Sequence, residues 1–77
     1  MKNIHIGEII KNELNRQGRS NIWFAHAINR SESSCYYIFK QKNIDIELLK
    51  TLSLALNYDF FQVLSDDFNA SNTTKSL

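Results

Sequence analysis

The chain has 77 residues, a formal net charge of +1, two glycines, no proline and one cysteine. That length allows one domain burying only about 60% of its unfolded surface, and 43% hydrophobic with 22% charged residues fits a globular fold rather than a disordered one. No apolar run approaches the roughly 20 residues of a membrane span, no signal-peptide core is read at the N-terminus, and one cysteine excludes a disulfide framework, so a reducing cytoplasm is the expected compartment.

Apolar residues at intervals of three and four predict an all-α fold, a compact bundle of five short helices. Ile6, Ile9, Ile10 and Leu14 form the stripe of a first helix, and Gly18 supplies a left-handed stop after Gln17. Ser20 is the expected N-cap of a second helix whose inward residues are Phe24, Ala25 and Ile28. Asn29 tolerates the left-handed conformation better than any residue except glycine and suits a tight turn. Ser31 then caps a third helix at about residues 32–40, with Cys35, Ile38 and Phe39 facing inward. Asn43 lies in a short connection, and Asp45 caps a fourth helix striped by Leu48, Leu49, Leu52 and Leu56. Asp59 and Gln62 have capping-box spacing for a short fifth helix bearing Phe60, Val63 and Leu64. The domain is thus expected over residues 1–68, with residues 69–77, lacking periodicity, as a mobile tail.

The small net charge conceals a division along the chain. From Arg16 to Lys42 there are five bases and one acid, Glu32, whereas from Asp45 to Asp67 there are five acids and one base, Lys50. A polyanion is attracted by one segment and repelled by the other, which sets orientation as well as affinity. Ordinary solvated charge is the plainer reading of either segment taken alone. What favours the sharper one is that the basic segment coincides with a helix, a tight turn and a second helix at residues 20–40, the spacing that packs two helices at a steep angle.

At these residues the chain resembles the lambda-repressor-like helix-turn-helix family, also called the Cro/C1 or xenobiotic-response-element type. The Phe24-Ala25 pair, Asn29-Arg30-Ser31, Cys35 and Ile38 fill that family's pattern of an apolar-Ala pair, a Gly-Val-Ser turn and two apolar positions. Ile6-Gly7-Glu8-Ile9-Ile10 is similar to its first helix, Leu49, Leu52, Ala55 and Leu56 to its fourth, and Tyr58-Asp59-Phe60 with Val63-Leu64 to its closing helix. Asn29 departs from the usual Gly, Arg30 from an apolar residue, Phe39 from a common Glu and Gln41 from a Gly. The resemblance implies a small bacterial or phage-type transcriptional regulator that binds double-stranded DNA with residues 32–40 in the major groove.

Carried over position by position, the base-reading slots of that family fall on Glu32, Ser33 and Tyr37, with Ser34 and Tyr36 at the margin. Glu32 can accept from cytosine N4, Ser33 can bond to any base and Tyr37 can meet a thymine methyl or a phosphate. No Gln, Asn or Arg stands in these first turns, so the strongest bidentate readers are missing and DNA shape is expected to matter. Phosphate contacts are expected from Arg19, Arg30, Lys40 and Lys42, from Ser20 and Asn21 at the start of the second helix, and from Asn43.

Other chemistry is weakly signalled. His5 and His26 lie on different helices, and only the His5–Glu8 spacing hints at a ligand pair, so no metal or other cofactor is expected. Cys35 with His26 has the makings of a nucleophile pair, but Cys35 falls inward and packs as a small apolar residue, so no enzyme activity or small-molecule ligand is expected. Trp23 stands where the family carries a polar residue; packing, a DNA edge or a protein contact are open to it. The C-terminal aromatics Tyr58, Phe60, Phe61 and Phe68 either close the core or form a homodimer surface near the end where related repressors dimerise. A second function class uses the same fold: a protein-interaction module or antitoxin-like partner whose DNA contact is secondary. RNA fits less well, because the deep A-form groove does not admit such a helix.

Overall fold

The computed structural model describes residues 4–73, and side chains through residue 70. The described chain is all-helical, with five helices in order: α1 (Ile6–Arg16), α2 (Asn21–Ala27), α3 (Glu32–Lys40), α4 (Ile46–Leu56) and α5 (Phe60–Thr73). No helix among the described residues is long and apolar enough to cross a membrane.

Four of the expected side-chain caps are in place. Ser20 accepts the Trp23 N–H at 3.0 Å, Ser31 that of Ser34 at 3.2 Å, Asp45 that of Leu48 at 2.7 Å and Asp59 that of Gln62 at 3.1 Å. Each satisfies a backbone donor that the helix itself leaves orphaned. The capping box at Asp59 is only half made, because the Gln62 amide turns forward to Asp66 at 2.8 Å instead of back. At α1 the cap is His5, whose Nδ1 accepts the Glu8 N–H at 3.2 Å, so the contact between these residues is a helix start and not a carboxylate pair.

Three helices end by one device. Gly18, Asn29 and Asn57 take positive φ, at 70°, 56° and 50°. In each case the next residue's N–H reaches back five residues: Arg19 to Leu14, Arg30 to Ala25 and Tyr58 to Ser53, at 2.9–3.1 Å. This double closure satisfies terminal carbonyls and reverses the chain within two residues. α3 ends differently. Gln41 leaves in extended backbone, with φ −80° and ψ 127°, so no glycine is needed there.

The core forms where the helical stripes meet. Ile6, Ile10 and Leu14 of α1 pack with Phe24, Ala25 and Ile28, with Cys35, Ile38 and Phe39 of α3, with Leu49, Leu52 and Leu56 of α4, and with Phe60. Burying each large apolar side chain contributes about 1.5–3 kcal/mol. Leu48 and Ile9 are only half-buried at the margin of this cluster. Phe24 and Phe39 stack with centroids 5.8 Å apart and planes 11° from parallel, fixing α2 on α3. α1 in turn packs on both α3 and α4, and α4 on α5.

Two expectations need correction. Phe60 is 0% exposed and belongs to the core, so it is unavailable to a homodimer surface. The stretch after Phe68 is not a tail from its start, since α5 continues as helix to Thr73; residues 74–77 of the expected tail lie outside the described residues. Every described residue from Leu64 to Ala70 is exposed, so no apolar periodicity is required of this part of α5.

Candidate nucleic-acid interface

α3 is held by its inner face and presents its outer one. Cys35, Ile38 and Phe39 are buried, whereas Glu32, Ser33, Tyr36, Tyr37 and Lys40 are exposed, as 100° per residue requires. Tyr37 is 66% exposed. Tyr36 is half exposed and leans edge-on against Phe39, with centroids 6.4 Å apart, so its ring is steadied while its hydroxyl end stays free. Ser34 is more enclosed. Its hydroxyl accepts a hydrogen bond from the Ser31 hydroxyl at 3.1 Å, which makes it part of the helix cap. Among the described residues the side chains of Glu32, Ser33 and Tyr37 make no intramolecular hydrogen bond.

Arg30 occupies a pivotal position before this helix. It lines a cavity of about 410 Å³ with Ile22, His26, Asn29 and Glu32 on one side of the α3 N-terminus. On the other side it lines a groove of about 300 Å³ with Ser33, Ser34, Tyr37 and Gln41. The structure thus brings Arg30 together with four of the five expected base-reading residues, Glu32, Ser33, Ser34 and Tyr37.

Arg19 and Arg30 are equivalent by construction. Each is the third residue past the end of a helix, and its backbone N–H is tied to a carbonyl five residues back. Both side chains are exposed, as are those of Lys40 and Lys42. The one ion pair among the described residues joins Arg16 to Glu13, so these four cations are unpaired. Arg19 does have a neighbour: its guanidinium lies 4.1 Å from the centre of the Trp23 ring.

Not all expected contacts share one surface. Lys42 and Asn43 are exposed but line a separate groove of about 360 Å³ with Ile4, Ile44, Leu64 and Asp67. Ser20 and Asn21 begin α2, a helix of only seven residues, and the Ser20 hydroxyl is already engaged by Trp23 N–H.

Buried groups with other chemistry open to them are accounted for. Cys35 is 0% exposed, and burial, reinforced by the Glu32 charge, pushes its thiol above the ordinary range, against a smaller opposing effect of Arg30. A thiol so placed is a poor nucleophile at neutral pH. Among the described residues no group of three or more His, Cys, Asp or Glu side chains gathers to hold a metal ion. Glu13, buried on α1, accepts from Arg16 Nε at 2.8 Å and from Gln17 Nε2 at 2.7 Å. These contacts, the Arg16 hydrogen bond foremost, hold its carboxyl below the usual range against the opposing effect of burial. Gln17 also donates to the Leu56 carbonyl at 2.8 Å and so ties α1 to the end of α4.

Sequence reasoning missed the pairing of Arg19 with Trp23, although their spacing across a helix start is a visible signal. It also missed Asn57, whose place after the Leu54-Ala55-Leu56 run is that of a left-handed cap. No protein-family model, curated protein or solved structure matches this chain.

Proposed function

We propose that this chain is a small transcriptional regulator of the lambda-repressor-like helix-turn-helix type, which binds double-stranded DNA with α3 in the major groove. The observation that carries this reading is the outer face of α3: exposed Glu32, Ser33, Tyr37 and Lys40, which make no side-chain hydrogen bond or ion pair among the described residues, beside Arg30, which makes no ion pair among them. A helix presented this way fits the major groove, which is about 12 Å wide. Arg19, Arg30 and Lys40 hold phosphates and set register, while Glu32, Ser33 and Tyr37 meet base edges. The acids concentrated from Asp45 to Asp67 repel the polyanion and so orient its approach.

Charge reversal at two lysines tests this. K40E is expected to weaken binding to duplex DNA by about tenfold or more, whereas K50E, on the acidic α4 side, is expected to leave it within about twofold. Equal losses from both would show that net charge alone drives binding and would remove α3 from the interface.

The exposed apolar residues of α4 and α5 favour a protein partner as well. Ile46 and Leu54 of α4 and Leu64 and Phe68 of α5 stand exposed. Phe61 and Phe68 are seven residues apart, hence on one helical face. A second copy of the chain, pairing α5 with α5, buries that face in both protomers at once.

A further inference from the structure

We propose that Trp23 is a positioning residue that pre-orders the Arg19 guanidinium for a backbone phosphate; the inference rests on the DNA-binding reading above. Trp23 is half-buried and packed against the core, so its ring is a fixed platform and not a mobile surface side chain. The Arg19 guanidinium carbon lies 4.1 Å from the ring centre. An arginine in that position is attracted by the negative face of the indole.

The backbone on either side is equally constrained. Gly18, at φ 70°, turns the chain, and Arg19 N–H is tied to the Leu14 carbonyl at 3.1 Å. Ser20 then caps α2 through Trp23 N–H at 3.0 Å, so the residue bearing the ring is hydrogen-bonded to the residue next to the arginine. Among the described residues Arg19 makes no ion pair, which leaves its N–H edge open to a phosphate while one face is covered by the indole. An exposed arginine normally loses rotamer freedom when it grips a phosphate; one already laid on a ring loses less and binds tighter for the same contact. The planar fork suits the two oxygens of a phosphate, which a lysine does not match.

This gives the tryptophan a role that its own chemistry does not supply. Trp23 carries no charge, yet removing it should change the count of neutralised phosphates. The test is a salt series of duplex binding for wild type, R19A, W23F, W23L and R19A/W23L, each shown by circular dichroism to be folded at the assay temperature. R19A is expected to lose roughly three- to tenfold in affinity and about 0.9 in the slope of log Kobs against log salt. W23L is expected to approach both losses, W23F to stay near wild type because it keeps a ring, and the double variant to be no weaker than R19A. The proposal is overturned if W23L keeps the wild-type slope, or if the double variant's loss is the product of the two single losses. Absence of salt-dependent binding by the wild type overturns the DNA reading itself and this inference with it, a result distinct from a slope that W23L leaves unmoved.

Discussion

Gly7 donates its backbone N–H to the Gln41 carbonyl at 2.9 Å, while Ile6 N–H reaches the Lys42 carbonyl at 3.1 Å. The first turn of α1 is thereby hydrogen-bonded to the chain that leaves α3. Two orphan donors of α1 are satisfied, and the end of the exposed helix is fixed to the bundle. The approach is close enough that a Cβ at position 7 would collide with the carbonyl oxygens of Ile38, Phe39 and Gln41. Glycine is needed here for space.

Gly7→Ala should therefore destabilise the fold by about 1–3 kcal/mol, since backbone oxygens yield less readily than side chains. Thermal unfolding checks this; a domain of this size shifts its midpoint by roughly 4–8 °C per kcal/mol. G18A offers a contrast, because nothing lies near its Cβ and only the positive φ opposes the change. An unaltered midpoint for G7A would show that the α1–α3 junction is loose.

Glu13 gives the fold an acid-side limit. Its folded pKa lies below the ordinary carboxylate value, so the stabilisation is fully present above the unfolded pKa and is lost as pH falls through the folded one. E13Q should be less stable than wild type at neutral pH, and the gap should close once the pH drops below the usual carboxylate range near 4. Denaturant midpoints measured from pH 7 to pH 2.5 read the difference; a gap that persists at the lowest pH would assign it to packing.

Cys35 should be silent toward thiol reagents in the folded protein. Its thiol is buried and its ionisation suppressed. Ellman's reagent is expected to react at the rate of unfolding and immediately in denaturant. Rapid labelling of the native chain at pH 7 would contradict the core assignment.

On the interface, Arg30→Ala and Lys40→Ala should each weaken binding to all duplex sequences alike and lower the salt slope by about one. S33A and Y37A should instead shift the consensus recovered when bound sites are selected from a random DNA pool. A change of consensus caused by K40A, with the salt slope intact, would contradict its phosphate role.

If a second copy pairs along α5, Phe68→Ser should keep the chain monomeric at concentrations where the wild type dimerises in sedimentation equilibrium. Phe68 is 65% exposed, so this change costs the monomer little. A wild type that stays monomeric at every concentration would remove the free dimer.

Much of this architecture can be read locally. Ser20, Ser31, Asp45 and Asp59 announce helix starts because a short oxygen-bearing side chain satisfies its own neighbour's N–H, and Gly18 and Asn29 announce stops for a backbone reason equally local. The Cys35, Ile38 and Phe39 stripe fixes which side of α3 faces out, so the candidate reading face was legible too. What escaped depends on distant groups. That Gly7 exists to admit the carbonyls of Ile38, Phe39 and Gln41 at the end of α3, and that Gln17 ties Leu56 to Glu13, follow only from how helices cross. Phe60 and Phe68 are the same residue type on one helix, and only the end of the bundle between them decides that one is core and the other surface.

The central claim is that an unpaired basic surface around α3 meets the DNA backbone. It is tested most directly by the salt dependence of wild-type binding to a random-sequence duplex, followed by fluorescence anisotropy from low to physiological salt. Three phosphate contacts, from Arg19, Arg30 and Lys40, are expected to give a log–log slope of about −2.7. A chain that binds no duplex at low salt, or binds with a slope near zero, would contradict the account.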